Sequence, residues 1–359
     1  MMKQNLPKLL ISKKYKYHQK SHIHLNREQK LIRNGIQKKI NSGVYKLEET
    51  SCLCGTKDDV IISETDRYGL NLKTVICKNC GLLRTNPRLD KNSLTEFYIN
   101  EYRDLYMESK EVTEGYFKNM ISRGREVIEL IRRCCAGIEF KGMDVLDIGC
   151  SAGGILVPFL EAGATVKGYD YDRRYLDYGN SRNPALNLCF GGLEDLKAED
   201  KKYDLIIINH VLEHLSSPEA TLEQVKGNLK PDGILYIGLP GLKNPAYYYS
   251  SSKSFLGSLH IGHLYHFTSA SLLRLMKGFE PLYIDEEIKA VFRMAGGKDA
   301  AYGALLPEYD ETLAFIRQYE NDFMWKLRRL KIILTDLPYF LRLVLPEPVI
   351  RFIKVILGR

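Results

Sequence analysis

Between residues 141 and 296, short apolar runs alternate with stretches of helical periodicity, the order expected of parallel strands joined by helices. Asp144–Ile148 sets Val145, Leu146 and Ile148 among acidic neighbours and predicts a buried strand. ATVKGYD predicts a second strand ending at Asp170, LNLCFGGLEDL a third with its turn, and KYDLIIINHVLEHL a fourth. LKPDGILYIGLP, opened by a Pro-Asp-Gly turn, is the fifth. PLYIDEE and IKAVFRM supply the last two, closing this core near Met294.

The stretch DVLDIGCSAGG organises that core. After the first strand, Gly149, Ser151, Gly153 and Gly154 make a turn small enough for a ligand to touch the backbone. A helical pattern then runs from Ile155 to a C-cap at Gly163. Strand, glycine-rich turn and helix N-terminus together make a nucleotide-type site. The turn lacks both the G-x-G-x-x-G and the Gly-Lys-Ser/Thr phosphate motifs. Asp147 at the strand end would repel phosphate and suits a cation, such as a sulfonium or amino group. Asp170 lies 21 residues beyond Gly149, where a carboxylate can take both ribose hydroxyls.

Outside the core the chain changes character. Residues 1–48 read as a basic, partly disordered helical arm without a core of its own. Residues 86–140 read as a tyrosine-rich helical linker or cap, with Tyr98 and Tyr102 four apart on one face. The net charge of +8 sits at the ends. Residues 1–50 hold twelve Lys/Arg against three Glu, and residues 326–359 hold eight against Asp336 and Glu347, which leaves the middle negative. The C-terminal extension, 297–359, mixes apolar and cationic residues but is broken by Pro338, Pro346 and Pro348. It suits paired amphipathic helices at a membrane surface, or packing on the core or a second subunit. No apolar run approaches roughly 18 residues and the Lys-rich start lacks an apolar signal region, so a cytoplasmic protein is expected, with peripheral contact at the inner face of the membrane as the refinement.

Four of eight cysteines fall in two pairs, Cys52/Cys54 and Cys77/Cys80, around a run with a Gly-containing turn at 66–69. This predicts a zinc ribbon over 49–85. CKNCG matches the usual knuckle, whereas the first pair is spaced C-x-C. Four thiolates close the coordination shell, so a structural Zn2+ is expected.

DVLDIGCSAGG, GYDYD, GGLEDL and YDLIIINHVLEHL followed by LKPDGILYIGLP together resemble the motifs of class I S-adenosylmethionine-dependent methyltransferases. With CLCG and CKNCGL ahead of the core and HLYHFTSASLLRLM near its end, the chain is similar to members with an N-terminal zinc ribbon, which act in polysaccharide, O-antigen and deoxysugar biosynthesis. The resemblance implies a Rossmann-like, seven-stranded α/β domain over 141–296. It further implies S-adenosylmethionine held by Asp147, Gly149, Ser151, Gly153 and Asp170, with Tyr171, Leu193, Glu194 and Asn209 beside them, and a sugar-nucleotide or glycan acceptor. Gly192 stands where many members carry Asp, which leaves the adenine contact to Leu193, Glu194 or Asp195.

Methyl transfer needs alignment and, for a hydroxyl acceptor, a base. His210 and His214, on either side of Glu213, are the candidates. The same Glu-His pair would also serve as a structural cap. His260, His263 and His266 suit the acceptor pocket or a metal, and the resemblance gives their stretch to substrate recognition, while Tyr98 and Tyr102 suit either a cap over the substrate pocket or a linker face packed on the neighbouring domain. Residues 247–254, just before them, read as a mobile lid. O-methylation is favoured over C-methylation. The rival readings are an RNA or protein methyltransferase using the basic ends, with nucleic acid the less favoured partner, and a non-catalytic scaffold.

Overall fold

A computed structural model describes residues 6–106, 111–196, 201–244, 254–295 and 308–321. Helix α1 (Arg27–Asn41) opens on a capping box: Asn26 Oδ1 accepts from the Gln29 amide (2.9 Å) and Gln29 Oε1 from the Asn26 amide (3.0 Å). Five short strands follow, β1 (Leu47–Glu48), β2 (Asp59–Ser63), β3 (Thr74–Cys77), β4 (Leu83–Thr85) and β5 (Arg88–Leu89). Strands β2, β3 and β4 form an antiparallel meander, while β1 pairs with β5. Helices α2 (Lys91–Phe97), α3 (Arg103–Tyr106) and α4 (Glu114–Cys134) lead to the main sheet.

That sheet comprises β6 (Asp144–Ile148), β7 (Thr165–Asp170), β8 (Leu188–Phe190), β9 (Tyr203–Asn209), β10 (Leu229–Gly238), β12 (Phe279–Ile284) and β13 (Lys289–Met294). Their order is β12-β13-β10-β9-β6-β7-β8, with β13 antiparallel to both neighbours and the other four adjacent pairings, among β10, β9, β6, β7 and β8, parallel in direction. This is the seven-stranded Rossmann-like arrangement that the periodicity and the motif resemblance imply. Alternation along the strands divides the core into two. Val145, Leu205 and Ile207 meet Val127, Ile128 and Ile131 of α4 on one face. Leu146, Ile206 and Ile208 meet Leu222 and Val225 of the helix at Pro218–Asn228 on the other. Each such fully buried side chain contributes on the order of 1.5–3 kcal/mol.

Two features depart from the sequence reading. The N-terminal arm, expected to have no core and partial disorder, is packed from residue 6 onward. The Leu9 amide donates to the Ile61 carbonyl (2.8 Å), and Tyr15, Leu25 and Ile36 are buried. Its lysines find carboxylates on distant elements, Lys8 on Glu64 (2.7 Å) and Lys14 on Glu320, which a charge count cannot reveal. Second, strand β11 (Tyr265–His266) leaves the main domain and pairs antiparallel with β4, so the cysteine-bearing meander becomes a four-stranded sheet. A third core joins this sheet to the arm and to the helix at Tyr309–Asn321 through Tyr15, Val60, Ile62, Phe255, Leu313 and Ile316. The tail at 326–359 and residues 247–253 of the lid lie outside the described residues. Among the described residues no helix is long and apolar enough to cross a membrane.

Candidate active site

At the end of β6 the chain turns through left-handed backbone at Gly149 (φ 75°), Ser151 (53°) and Gly153 (71°). A Cβ on Gly149 would fall 2.3 Å from Val211 Cγ2, so glycine alone lets this turn close on the second residue past β9. Asp147 is 1% exposed and neither carboxylate oxygen has a hydrogen-bond partner. Burial, reinforced by the neighbouring Asp170, holds its pKa well above the ordinary carboxylate value. A carboxylate so stripped of water is relieved by an arriving cation, and the residues present therefore fit the sulfonium and amino group of S-adenosylmethionine.

Asp170, at the end of β7, accepts from the Ser151 amide (2.9 Å) and the Asp172 amide (2.9 Å). Two residues to which the sequence assigns no cofactor role complete this wall. Arg103 Nη2 lies 3.5 Å from Asp170 Oδ2 with its guanidinium 4.3 Å from the Tyr175 ring centre, and Tyr116 Oη is 3.0 Å from Ser151 Oγ. Both come from the helical segment before the sheet, where no motif marks them. Tyr171 stands half exposed with its ring edge-on to Phe190. A Cβ on Gly192 would meet Tyr171 Oη at 2.4 Å, and the Asp195 carboxylate accepts from the Gly192 amide (2.9 Å), which commits it to the turn. The Leu193 carbonyl accepts from Gln224 Nε2, Asn209 closes β9, and the Glu194 side chain lies outside the described residues.

Beyond β9 lies a second group of polar residues. Glu213 is 1% exposed, and neither of its oxygens has a hydrogen-bond partner. Three imidazole nitrogens surround Glu213 Oε1: His210 Nδ1 at 3.5 Å, His214 Nε2 at 3.8 Å and His263 Nε2 at 3.9 Å. His214 Nδ1 is 2.7 Å from the Gly262 carbonyl, to which it donates, and 2.8 Å from Tyr98 Oη. Tyr98 and Tyr102 set their rings edge-on to His214, at 5.8 and 5.6 Å between centres. Burial lowers the pKa of His214, of His260 and His263 strongly, and of His266 to about 4. His210 differs from the others: its side chain is 44% exposed and its backbone is left-handed (φ 55°).

The cysteine sheet frames this cluster. Cys52 Sγ and Cys80 Sγ are 3.4 Å apart, Cys54 Sγ and Cys77 Sγ 3.6 Å, and all four sulfurs lie within 4.8 Å of one another. Tetrahedral zinc with Zn–S of about 2.3 Å separates sulfurs by about 3.8 Å, so the four thiols fit the expected ion. From the same sheet, the Thr85 amide donates to the Leu264 carbonyl (3.0 Å) and Thr85 Oγ1 to the His263 carbonyl (3.0 Å). The Leu264 amide then donates to the Glu213 carbonyl (2.9 Å). Buried Asp66, in the β2–β3 turn, accepts from the Ile261 amide (3.1 Å). The ribbon thus fixes the histidine segment against Glu213.

Residues 118–280 match the family model for a methyltransferase domain. The chain is 31% identical over 111 residues to a ubiquinone biosynthesis O-methyltransferase of Cereibacter sphaeroides, covering 30% of this chain and 45% of the relative. It is 27% identical over 119 residues to that of Bartonella tribocorum, covering 32% and 48%. The chain thus spans about half the length of these curated relatives. Among solved structures, magnesium protoporphyrin IX methyltransferase of Synechocystis PCC 6803 with bound SAH is 17% identical with a TM-score of 0.39, covering 57% of this chain and 98% of that one. CalS10, an amino pentose methyltransferase of Micromonospora echinaspora, is 17% identical with a TM-score of 0.31, covering 37% and 59%.

Proposed function

We propose that this chain, which carries a class I methyltransferase domain over residues 118–280, transfers a methyl group from S-adenosylmethionine to a hydroxyl of a sugar-bearing acceptor. The observation that carries this reading is the contact between the two sites. Val211, which follows His210, packs directly on Gly149 of the cofactor turn. The Glu213–histidine cluster therefore begins one residue from the contact with the turn that would hold the cofactor.

S-adenosylmethionine supplies an activated methyl group when bound. Asp147 would face its positive charge, Asp170 would hold its ribose, and the Gly149–Gly153 turn would supply backbone contacts. What remains for the protein is to hold the acceptor in line and to remove one proton. His210 is the base in this reading. It lies at the exposed end of the cluster, Glu213 is positioned to orient its imidazole, and its exposure lets the proton pass to water. The buried His214 has its Nδ1 committed to Gly262 and is a positioning residue. Tyr98 and Tyr102 offer aromatic faces beside polar groups, which suits a polyhydroxylated ring.

The test uses methyl-labelled S-adenosylmethionine and fractions of the source cells. Label in the nucleotide-sugar, glycan or lipid-linked glycan fraction supports the reading, and label confined to RNA or protein overturns it. His210→Ala should lower kcat by about 10²–10⁴-fold while S-adenosylmethionine affinity by calorimetry changes less than about twofold.

A further inference from the structure

Three potential ligand atoms, one carboxylate oxygen and two imidazole nitrogens, converge beyond β9. Glu213 Oε1 is 3.8 Å from His214 Nε2 and 3.9 Å from His263 Nε2, and the three atoms all lie within 4.8 Å of one another. The His214 tautomer follows from its other nitrogen, since Nδ1–H donating to the Gly262 carbonyl leaves Nε2 as a lone pair. Glu213 brings a carboxylate that is 1% exposed and has no hydrogen bond on either oxygen. A buried carboxylate without a hydrogen bond, facing an imidazole lone pair, is relieved by a cation between them.

We propose that Glu213, His214 and His263 hold a divalent transition ion of the zinc type, separate from the ion of the four cysteines. The proposal deepens the acceptor-site reading above and rests on it. A tetrahedral ion with bonds of about 2.1 Å separates its ligands by about 3.4 Å, so each Glu213–imidazole pair, at 3.8 and 3.9 Å, needs to close by about half an ångström or less, the two imidazole nitrogens lying within 4.8 Å of each other. A ligating histidine is commonly held by a carbonyl on its other nitrogen, as Gly262 holds His214. Burial keeps His214 and His263 in the neutral, ligating form. Two imidazoles and one carboxylate select zinc, cobalt or nickel over magnesium, which prefers an all-oxygen octahedron. Three protein ligands leave a fourth position open, the pattern of a catalytic and not a structural site. There the ion would orient the acceptor and acidify its hydroxyl for His210.

The experiment measures metal by mass spectrometry on tag-free, full-length protein, then replaces it with Co2+ and records the visible spectrum. The expected result is two equivalents per chain. One has intense thiolate-to-cobalt bands from the cysteines, and the other has weaker bands without sulfur character. Glu213→Gln and His263→Ala should each weaken the second equivalent by at least about tenfold and leave the thiolate bands unchanged. A variant that misfolds will lose both sets of bands. Wild-type protein loaded only at the cysteines therefore gives the decisive titration, in which further Co2+ should raise Tm and add the sulfur-free bands. A single equivalent, with no new band and no change in Tm at tenfold excess Co2+, overturns the proposal. S-adenosylmethionine binding by calorimetry reads the cofactor site separately, so failure of the ion site and failure of the methyltransferase reading are distinguishable.

Discussion

The cofactor turn and the Glu–His cluster touch at Gly149 and Val211, yet they are built in opposite ways. The turn is one contiguous stretch whose shape is set by backbone, with three left-handed residues in five and a single carboxylate beneath. The cluster is gathered from four separate segments, bearing Tyr98 and Tyr102, His210 to His214, Gly262 to His266, and Thr85 of the ribbon. A backbone-built site survives loss of its distant neighbours, whereas an assembled one depends on whatever holds its parts in register. Here that is the ribbon sheet, through the β4–β11 ladder and the Thr85 bonds.

The sharpest way to break this contrast is to remove the thiols that would hold the ribbon ion. A structural zinc site contributes on the order of 10 kcal/mol of folding free energy. In Cys54→Ser/Cys77→Ser, the cysteine sheet should therefore unfold and turnover should fall to background. The helix α4 face of the main sheet, whose core contains no ribbon residue, should stay folded and bind S-adenosylmethionine within about fivefold of wild type. Calorimetry and circular dichroism on the same sample decide the matter. Parallel loss of cofactor binding would mean that the two sites form one cooperative unit.

Gly149→Ala is the converse change. The new Cβ would sit at φ 75° and 2.3 Å from Val211 Cγ2. Left-handed strain of about 1–2 kcal/mol plus the displaced valine should weaken S-adenosylmethionine binding by about tenfold to a hundredfold. Any metal held by Cys52, Cys54, Cys77 and Cys80 should be unaffected, because these four cysteines lie in a separate sheet. An unaltered affinity would show that the turn opens freely and that Val211 does not couple the sites.

The same contrast explains what was legible in the sequence. Strands such as Asp144–Ile148 and Tyr203–Asn209 show their period locally, and DVLDIGCSAGG carries its turn in consecutive residues, so the fold class follows from reading along the chain. Arg103 left no trace and Tyr116 stood out only as one tyrosine of a tyrosine-rich segment, because each reaches the cofactor wall from a helix distant in sequence. The two-residue strand Tyr265–His266 is too short to show a period, and its pairing with Leu83–Thr85 is visible only in space. The histidines were conspicuous as residues, but their convergence on Glu213 depends on that pairing. The arm misled in the other direction. Its twelve positive charges suggested solvent, while Tyr15, Leu25 and Ile36 supplied the contacts that bury it.

The smallest expected effect tests whether the cluster is as dry as its burial implies. His266 Nε2 is buried without a hydrogen-bond partner, and burial takes its pKa from 6.5 to about 4 in the folded chain. A histidine depressed in this way is neutral in both states above pH 6.5 and costs nothing there. Between 6.5 and 4 the unfolded chain binds the proton and the folded chain does not, so stability is lost as the pH falls. At pH 5 the difference of 1.5 units corresponds to about 2 kcal/mol. Asp66, which burial pushes up to about 7, acts with the opposite sign, so the informative quantity is a difference between proteins. His266→Gln should lose about 2 kcal/mol less than wild type between pH 7 and pH 5 in denaturant melts. Equal losses in the two proteins would mean that water reaches His266 in solution, and that the cluster is wetter than the cofactor turn it adjoins.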